Sequence, residues 1–286
     1  MRADDPRHET DGVHEARLDV AYERIVFVNL LYVGPRDAGD RGWTLVDAGV
    51  TKASEGKIRS VAERRFGVGA RPNAIVLTHG HFDHVGAAQE LAELWDCPIF
   101  AHDLELPYLD GRSAYPEPDP SVGGGMVALA SGAYPRGPVD LGTNLKALPE
   151  DGSVPGMPGW RWIHAPGHSV GQVALWREAD RTLIAADAFV TTDQESLYAS
   201  LTQKLELQGP PAYFTCDWEM ARETVRTLAA LELETVITGH GRAMKGEAFR
   251  ARLRELAAEF DGIAIPEGHK YALHPARAED RTAYSY

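Results

Sequence analysis

Apolar residues recur along this chain in short, β-branched runs, and several of those runs close on a histidine or an aspartate. Asn73-Ala-Ile-Val-Leu-Thr78 reads as a buried strand that delivers His79 at its end. Thr182 to Ala188 reads as another, ending on Asp187, and Thr235 to Gly241 runs a third into His240 between two glycines. Gly42 to Gly49 supplies a strand that ends on Asp47, and residues 17–33 contain one rich in Val and Ile. The strand-like Trp160 to His164 leads into Ala165-Pro-Gly-His-Ser-Val-Gly171, a Gly-bracketed turn that holds His168. Helical spacing of apolar positions follows in three places: Gly86 to Trp95, Trp218 to Ala230 with Asp217 as N-cap, and Glu247 to Phe260. The last two are expected to cover a sheet face. Trp43 to Asp47 and Arg181 to Asp187 share an apolar strand closing on aspartate, which hints at two similar halves, although the repeat is too short to establish duplication.

Two stretches lack regular periodicity, about 103–160 and 189–217. Loops of that length in a folded domain are usually functional or disordered. The first carries Tyr108, Tyr115, the Gly123-Gly-Gly-Met126 run and Tyr134; the second carries Phe189, Tyr198, Tyr213 and Phe214. Each aromatic has two readings, a wall of a substrate cleft or packing and a dimer contact, because pockets and interfaces favour the same residue types. Residues 265–286 mix His269, His274 and tyrosines without periodicity, and read as a lid, a dimer arm or a surface strap.

The densest chemistry lies at residues 78–86, Thr-His-Gly-His-Phe-Asp-His-Val-Gly. His79, His81, Asp83 and His84 place four metal-donor side chains in six positions. Gly80 lets the backbone turn sharply, so His79 and His81 can point the same way while Asp83 and His84 open the following helix and address a second point. A lone His-X-His would read as structural, but a carboxylate among imidazoles is costly to desolvate without a cation. Ions such as zinc need four or more donors each, so the cluster cannot complete two sites by itself. His168, Asp187 and His240, at other apolar strand ends, supply the missing donors. Taken singly, each would read as a structural histidine or a turn aspartate; their common placement reverses that. His8, His14, His102 and His164 take structural or solvent roles, with His164 a weak candidate to support His168 four residues on.

Composition narrows the class. The chain has 286 residues, 44% of them hydrophobic, with no apolar run near the roughly 20 residues a bilayer span needs. No linker-like break divides the candidate donors, so residues 1–286 read as one domain, with 1–16 a flexible leading segment and 265–286 a tail. The polar, acidic start lacks the apolar segment of a secretory signal, and cytoplasmic residence is the expectation. Cys97 and Cys216 fit no Cys-X-X-Cys spacing and read as reduced, buried thiols. A formal net charge of −13 and a pI near 5.3 argue against nucleic acid as partner, since its binding draws on lysine and arginine contacts to phosphates. A small-molecule substrate is expected, no membrane partner, and a homodimer as one option.

With Asp47 in Leu-Val-Asp-Ala-Gly, the His-X-His-X-Asp-His cluster, His168, Asp187 and His240 in order over about residues 25–260, the chain resembles the metallo-β-lactamase fold superfamily of hydrolases. The resemblance implies a four-layer αββα sandwich of the α/β class. It also implies that His79, His81 and His168 hold one metal, that Asp83, His84 and His240 hold the other, that Asp187 bridges the two, and that Asp47 supports the site from behind the ligands. Two divalent ions per chain follow, zinc first, with manganese, iron or cobalt as replacements because His and carboxylate donors accept them.

Aspartate at 187 and histidine at 84 resemble the glyoxalase II, lactonase and phosphodiesterase side of the superfamily rather than its commonest antibiotic-degrading members. Quorum-signal lactonases of this fold carry a tyrosine three residues after the bridging aspartate, where this chain has Val190. Glyoxalase II enzymes bind glutathione through basic and tyrosine residues near the C-terminus; Arg242, Lys245, Arg250 and Lys270 are present without an identifying spacing and read as solvated surface.

The four positive charges of two ions, offset by Asp83, Asp187 and a bridging hydroxide, would leave a net positive site suited to an anionic intermediate. Metal coordination lowers the pKa of water from 15.7 towards about 7. The expected reaction is hydrolysis of a small ester, lactone or thioester carbonyl by that hydroxide, with Asp187 placing it and Asp83 as a proton donor to the leaving group. Alternatives are a phosphodiesterase or nuclease on the same centre, a β-lactamase-type amide hydrolase, and a non-catalytic metal-binding protein, the last disfavoured by seven donors where four close a structural site.

Overall fold

Successive side chains of a strand point to opposite faces, so a strand that is apolar throughout must be covered on both sides. β2 (Val20–Ile25), β3 (Val28–Val33), β10 (Thr182–Ala186) and β11 (Thr235–Thr238) are mostly apolar and buried at every position but Arg24, and the computed structural model, which describes residues 12–120, 122, 131–192 and 206–286, shows what covers them. Ala21, Ile25, Leu30 and Tyr32 face α1 (Glu55–Phe66) and α3 (Ala88–Trp95) through Ile58, Phe66, Leu91 and Trp95. The alternate residues Val20, Tyr22, Leu31 and Val33 meet Ile184 and Ile237 of the second sheet. On that sheet's far side Leu183, Ala185 and Val236 pack on Val225 and Leu228 of α5 (Trp218–Ala229) and on Phe249 and Leu253 of α6 (Glu247–Ala258). Helices, sheet, sheet, helices is the expected four-layer αββα sandwich.

The first sheet has seven strands in sequence order: β1 (Val13–Arg17), β2, β3, β4 (Thr44–Val46), β5 (Ile75–Val76), β6 (Ile99–Ala101) and β7 (Leu145–Ala147). It is antiparallel from β1 to β4 and parallel from β4 to β7. The second sheet has the order β12 (Met244–Lys245), β11, β10, β9 (Val173–Arg177), β8 (Trp160–His164), with only the β10–β11 pair parallel. Ligands of open α/β sheets gather outside the carboxyl ends of parallel strands. Here β4, β5, β10 and β11 lead to Asp47, His79, Asp187 and His240.

Several expectations change. Residues 13–16 are not part of a flexible leading segment but belong to β1, which pairs with β2 through the register Val13 to Glu23; residues 1–11, including His8, lie outside the described residues. The apolar stretch at 17–33 is a hairpin rather than one strand, turning at Val26 with φ 62°. The helix that Asp83 and His84 open does not run unbroken to Trp95: α2 (Phe82–Val85) and α3 are separated because the N–H groups of Gly86 and Ala87 bond to the carbonyls of Gly49 and Ala48. The Glu247–Phe260 pattern divides likewise into α6 and α7 (Phe260–Ala264). The 103–160 stretch contains α4 (Leu106–Leu109) and β7, whose Leu-Lys-Ala sequence is too short and polar to show a period. The Gly123–Met126 run and Tyr198 lie outside the described residues.

Residues 265–286 form a strap. After α8 (Lys270–Leu273), the N–H of Ala276 bonds to the Cys216 carbonyl, and Ser285 pairs with Ala114. Cys97 and Cys216 are both free and buried, and burial pushes the Cys97 thiol up to about 12. No described helix is long and apolar enough to cross a membrane.

Candidate metal centre

Each donor is carried by a turn that the sequence makes possible at a strand end. After β4 the chain passes through Asp47 at φ 61°, a left-handed conformation that aspartate tolerates. Its carboxylate accepts from the Thr78 N–H at 2.8 Å and from the Thr78 hydroxyl at 2.9 Å, tying the end of β4 to the turn after β5. The same carboxylate takes the Nδ1 proton of His84 at 2.8 Å, which fixes the tautomer and turns Nε2 of His84 into the site. The Thr78 hydroxyl also lies 3.1 Å from His79 Nδ1. Asp47 thus lies behind His84, on the side away from its Nε2.

His240 is held in a similar way. Its Nδ1 bonds to the Phe27 carbonyl at 3.0 Å, and Asn29 secures the surrounding turn by donating to the carbonyls of Thr238 at 2.9 Å and Gly241 at 2.6 Å. His168 is backed by the Thr215 hydroxyl at 3.3 Å from Nδ1.

All seven expected donors converge. Their nitrogen and oxygen atoms form three overlapping groups, His79 with His81 and His168, His79 with His84 and Asp187, and Asp83 with His84 and His240, each with its donor atoms within 4.8 Å of one another. Asp187 sits at the middle. Its Oδ2 lies 3.1 Å from His240 Nε2, 3.5 Å from His168 Nε2 and 3.7 Å from His84 Nε2. Asp83 Oδ2 lies 3.5 Å from His240 Nε2 and 3.9 Å from His84 Nε2. His81 Nδ1 and His168 Nε2 face each other at 2.9 Å.

The electrostatics suit a cation. Burial, reinforced by neighbouring imidazoles, holds His79 and His81 well below the usual histidine value, and burial takes His168 down to about 4, so all three are neutral donors at pH 7. Burial also opposes charge on His84 and His240, but the carboxylates of Asp47, Asp83 and Asp187 outweigh it at His84, and Asp187 foremost outweighs it at His240, so both shift upward. Burial would raise Asp187, yet His240 and His84 bring it well below the carboxylate range. Burial raises Asp83. His79 Nε2, His84 Nε2 and Asp187 Oδ1 are buried with no hydrogen-bond partner. Polar atoms orphaned in this way are expensive, and three of them within one cluster of imidazoles and carboxylates fit a cation.

Aromatic side chains surround the donors. Phe27 stacks on His240 with centroids 6.0 Å apart, and Phe214 stacks on His81 at 4.7 Å. Phe82 joins them, 6.5 Å from Phe27, 6.3 Å from Phe214 and 5.4 Å from Tyr134. Tyr134 and Phe214 thus join the aromatic shell around the donors. Tyr108 and Tyr115 serve as packing: they stack on each other at 3.8 Å and are buried behind His81, the Tyr115 ring 4.4 Å from that imidazole. His164 bonds to the Val170 carbonyl at 2.8 Å and stacks on His102 instead of supporting His168 directly.

Sequence reasoning passed over Phe27, Asn29 and Glu105. Phe27 and Asn29 sit in the β2–β3 hairpin far from any donor in sequence, and Glu105 is a single acid in an irregular stretch, so none carried a local signal.

Comparison with known proteins agrees with this geometry. The family model described as "Metallo-beta-lactamase superfamily" matches residues 24–240, an interval that contains every donor. Probable metallo-hydrolase YflN of Bacillus subtilis is 44% identical over 252 residues, covering 88% of this chain and 92% of that protein. Probable metallo-hydrolase YybB of the same organism is 33% identical over 151 residues, 53% of this chain and 59% of its own length. Among solved structures, a beta-lactamase domain protein from Burkholderia ambifaria has a TM-score of 0.61 at 20% identity, covering 90% of this chain and 80% of that one. TTHA1623, solved in a di-iron-bound form, has a TM-score of 0.51 at 24% identity over 78% of this chain and 92% of its own. A buried His and Asp centre at the strand ends of an αββα sandwich, together with the family match over three quarters of the chain, establishes that this protein belongs to the metallo-β-lactamase superfamily, as a metal-dependent hydrolase.

Proposed function

We propose that the protein is a dinuclear metal-dependent hydrolase of small ester, lactone or thioester carbonyls, with zinc as the first candidate ion. The observation that carries this is the position of Asp187 Oδ2, within 3.7 Å of His168 from one donor group and of His84 and His240 from the other, as a carboxylate shared between two ions would be. His79, His81 and His168 would hold one ion, and Asp83, His84 and His240 the other. Divalent ions there would supply water acidified towards neutrality and a Lewis acid for the carbonyl oxygen.

The chain's own residues do the rest. Asp47 and the Phe27 carbonyl hold His84 and His240 in the tautomer that presents Nε2. Asp83, whose carboxyl burial raises, would carry a proton towards a leaving group. Phe27, Phe82, Tyr134 and Phe214 present apolar faces beside the donors, which exclude water and pack against the hydrocarbon part of a small acyl substrate. A net charge of −13 disfavours a long polyanion and hinders a small neutral substrate much less.

The test is a panel of aryl esters, lactones, S-acyl thiols, a chromogenic β-lactam and bis(p-nitrophenyl) phosphate, with an RNA and a DNA oligonucleotide. Carbonyl esters, lactones or thioesters should be turned over fastest, with weak dependence on salt. Faster cleavage of RNA or DNA, collapsing as ionic strength rises, would replace this reading with a nuclease; fastest turnover of the β-lactam would replace it with an amide hydrolase.

A further inference from the structure

We propose that Glu105 is a positioning residue that clamps together the two loops carrying His79, His81 and His168, and so sets one half of the metal centre. This rests on the dinuclear reading above. Glu105 ends a one-turn helix, Asp103–Glu105, just before α4, and its side chain is completely buried. Both carboxylate oxygens are used twice. Oε2 accepts from the N–H of Gly80 at 2.9 Å and from the Tyr115 hydroxyl. Oε1 accepts from the Ser169 hydroxyl at 2.7 Å and from the N–H of Gly171 at 2.8 Å.

These partners are specific in place. Gly80 lies between His79 and His81, and Ser169 follows His168, so one carboxylate bonds to the backbone or immediate neighbour of all three donors of one group. The Tyr115 hydroxyl completes the clamp by accepting from the Gly80 N–H at 2.8 Å while its ring packs on His81. Both glycines are required for so close an approach. A Cβ at Gly80 would stand 2.6 Å from the Tyr115 hydroxyl, and a Cβ at Gly171 would stand 2.8 Å from Glu105 Cγ and its backbone nitrogen.

The other donor group is oriented by different residues, Asp47 behind His84 and the Phe27 carbonyl behind His240. A buried carboxylate without a positive partner is costly, and its four donors make that cost tolerable only while both loops keep their places. A residue of merely structural value would act on both ions alike; this one should act on one.

The experiment is zinc titration of the full chain after chelator stripping, with a chromophoric chelator as competitor to resolve two dissociation constants. Glu105→Gln keeps the shape but turns an amide NH2 towards a group that already donates. It should weaken one constant by about 10–100-fold, the range typical for partners of metal ligands, and leave the other within about threefold. Cobalt(II) substitution should show the same selectivity as the loss of one set of absorption bands. Tyr115→Phe and Ser169→Ala, which each remove one of the four donors, should weaken the same ion by less. The proposal is overturned if a natively folded Glu105→Gln chain keeps both wild-type constants or loses both ions in parallel. Should that variant not fold, unchanged constants in both Tyr115→Phe and Ser169→Ala overturn it equally. The wild-type titration separates the two ideas, since a wild-type chain that binds fewer than two ions overturns the dinuclear reading and this proposal with it.

Discussion

Asp187 has neighbours from both donor groups, His168 from one and His84 and His240 from the other, all within 3.7 Å of one oxygen. Although burial opposes it, His240 and His84 hold this carboxylate well below the usual range, and it raises both of them in turn. Removing that charge should affect both ions, whereas removing His240 should affect one. Asp187→Asn is therefore expected to lose more turnover than His240→Ala, by on the order of tenfold, or about 1.4 kcal/mol of barrier. Thermal unfolding should show both variants folded. Near-normal turnover with two bound ions in Asp187→Asn would show that this carboxylate does not join the two halves.

At the scale of elements, the centre depends on turns that pass very close to one another after the strands. The turn after β11 is the tightest: a Cβ at Gly239 would stand 2.0 Å from Asp187 Oδ1 and 2.9 Å from His84 Cε1. Those neighbours are buried and fixed, so the clash can be relieved only by moving a donor. Gly239→Ala should thus lower zinc occupancy and destabilise the fold by about 1–3 kcal/mol, the usual cost of overpacking. Gly262→Ala in α7 is the control, because an added methyl there meets nothing within 4 Å. Equal zinc content in Gly239→Ala and the control, measured by elemental analysis, would contradict this account of the turn.

At the scale of the molecule, the C-terminal strap is joined to the centre through stacked aromatics. The Tyr108 hydroxyl donates to the Ala283 carbonyl at 2.7 Å, Tyr284 stacks on Tyr108 at 5.2 Å, Tyr108 stacks on Tyr115, and Tyr115 packs on His81. Arg277 adds an ion pair to Asp217 at 2.7 Å, the residue that caps α5. Ending the chain at Leu273 removes these contacts and the backbone bonds of Ala276 and Ser285. At about 1 kcal/mol for each buried hydrogen bond, the loss is a few kcal/mol. Calorimetry should show the melting temperature falling by about 5–10 °C, given 2–4 °C per kcal/mol in chains of this size class. An unchanged melting temperature would mean that the strap is an appendage.

What the sequence by itself determined is what local periodicity and local chemistry can encode. The apolar runs of β3, β10 and β11 required cover on both faces, Asp217 marked the start of α5, and four donors in six positions announced a metal centre, because each of these is a property of neighbours along the chain. His168, Asp187 and His240 were legible as strand-end donors for the same reason. Only the tertiary structure decided the remainder. Asp187's place among His84, His168 and His240 is a matter of distances between residues from four separate loops. The break between α2 and α3 exists because carbonyls at Ala48 and Gly49 capture N–H groups that a helix would have used. β7 is a strand because β6 lies beside it, not because Leu-Lys-Ala prefers one. Phe27, Asn29 and Glu105 act at the centre across sequence separations that no periodicity spans, and their roles come into being only when the two sheets pack and bring their strand ends together.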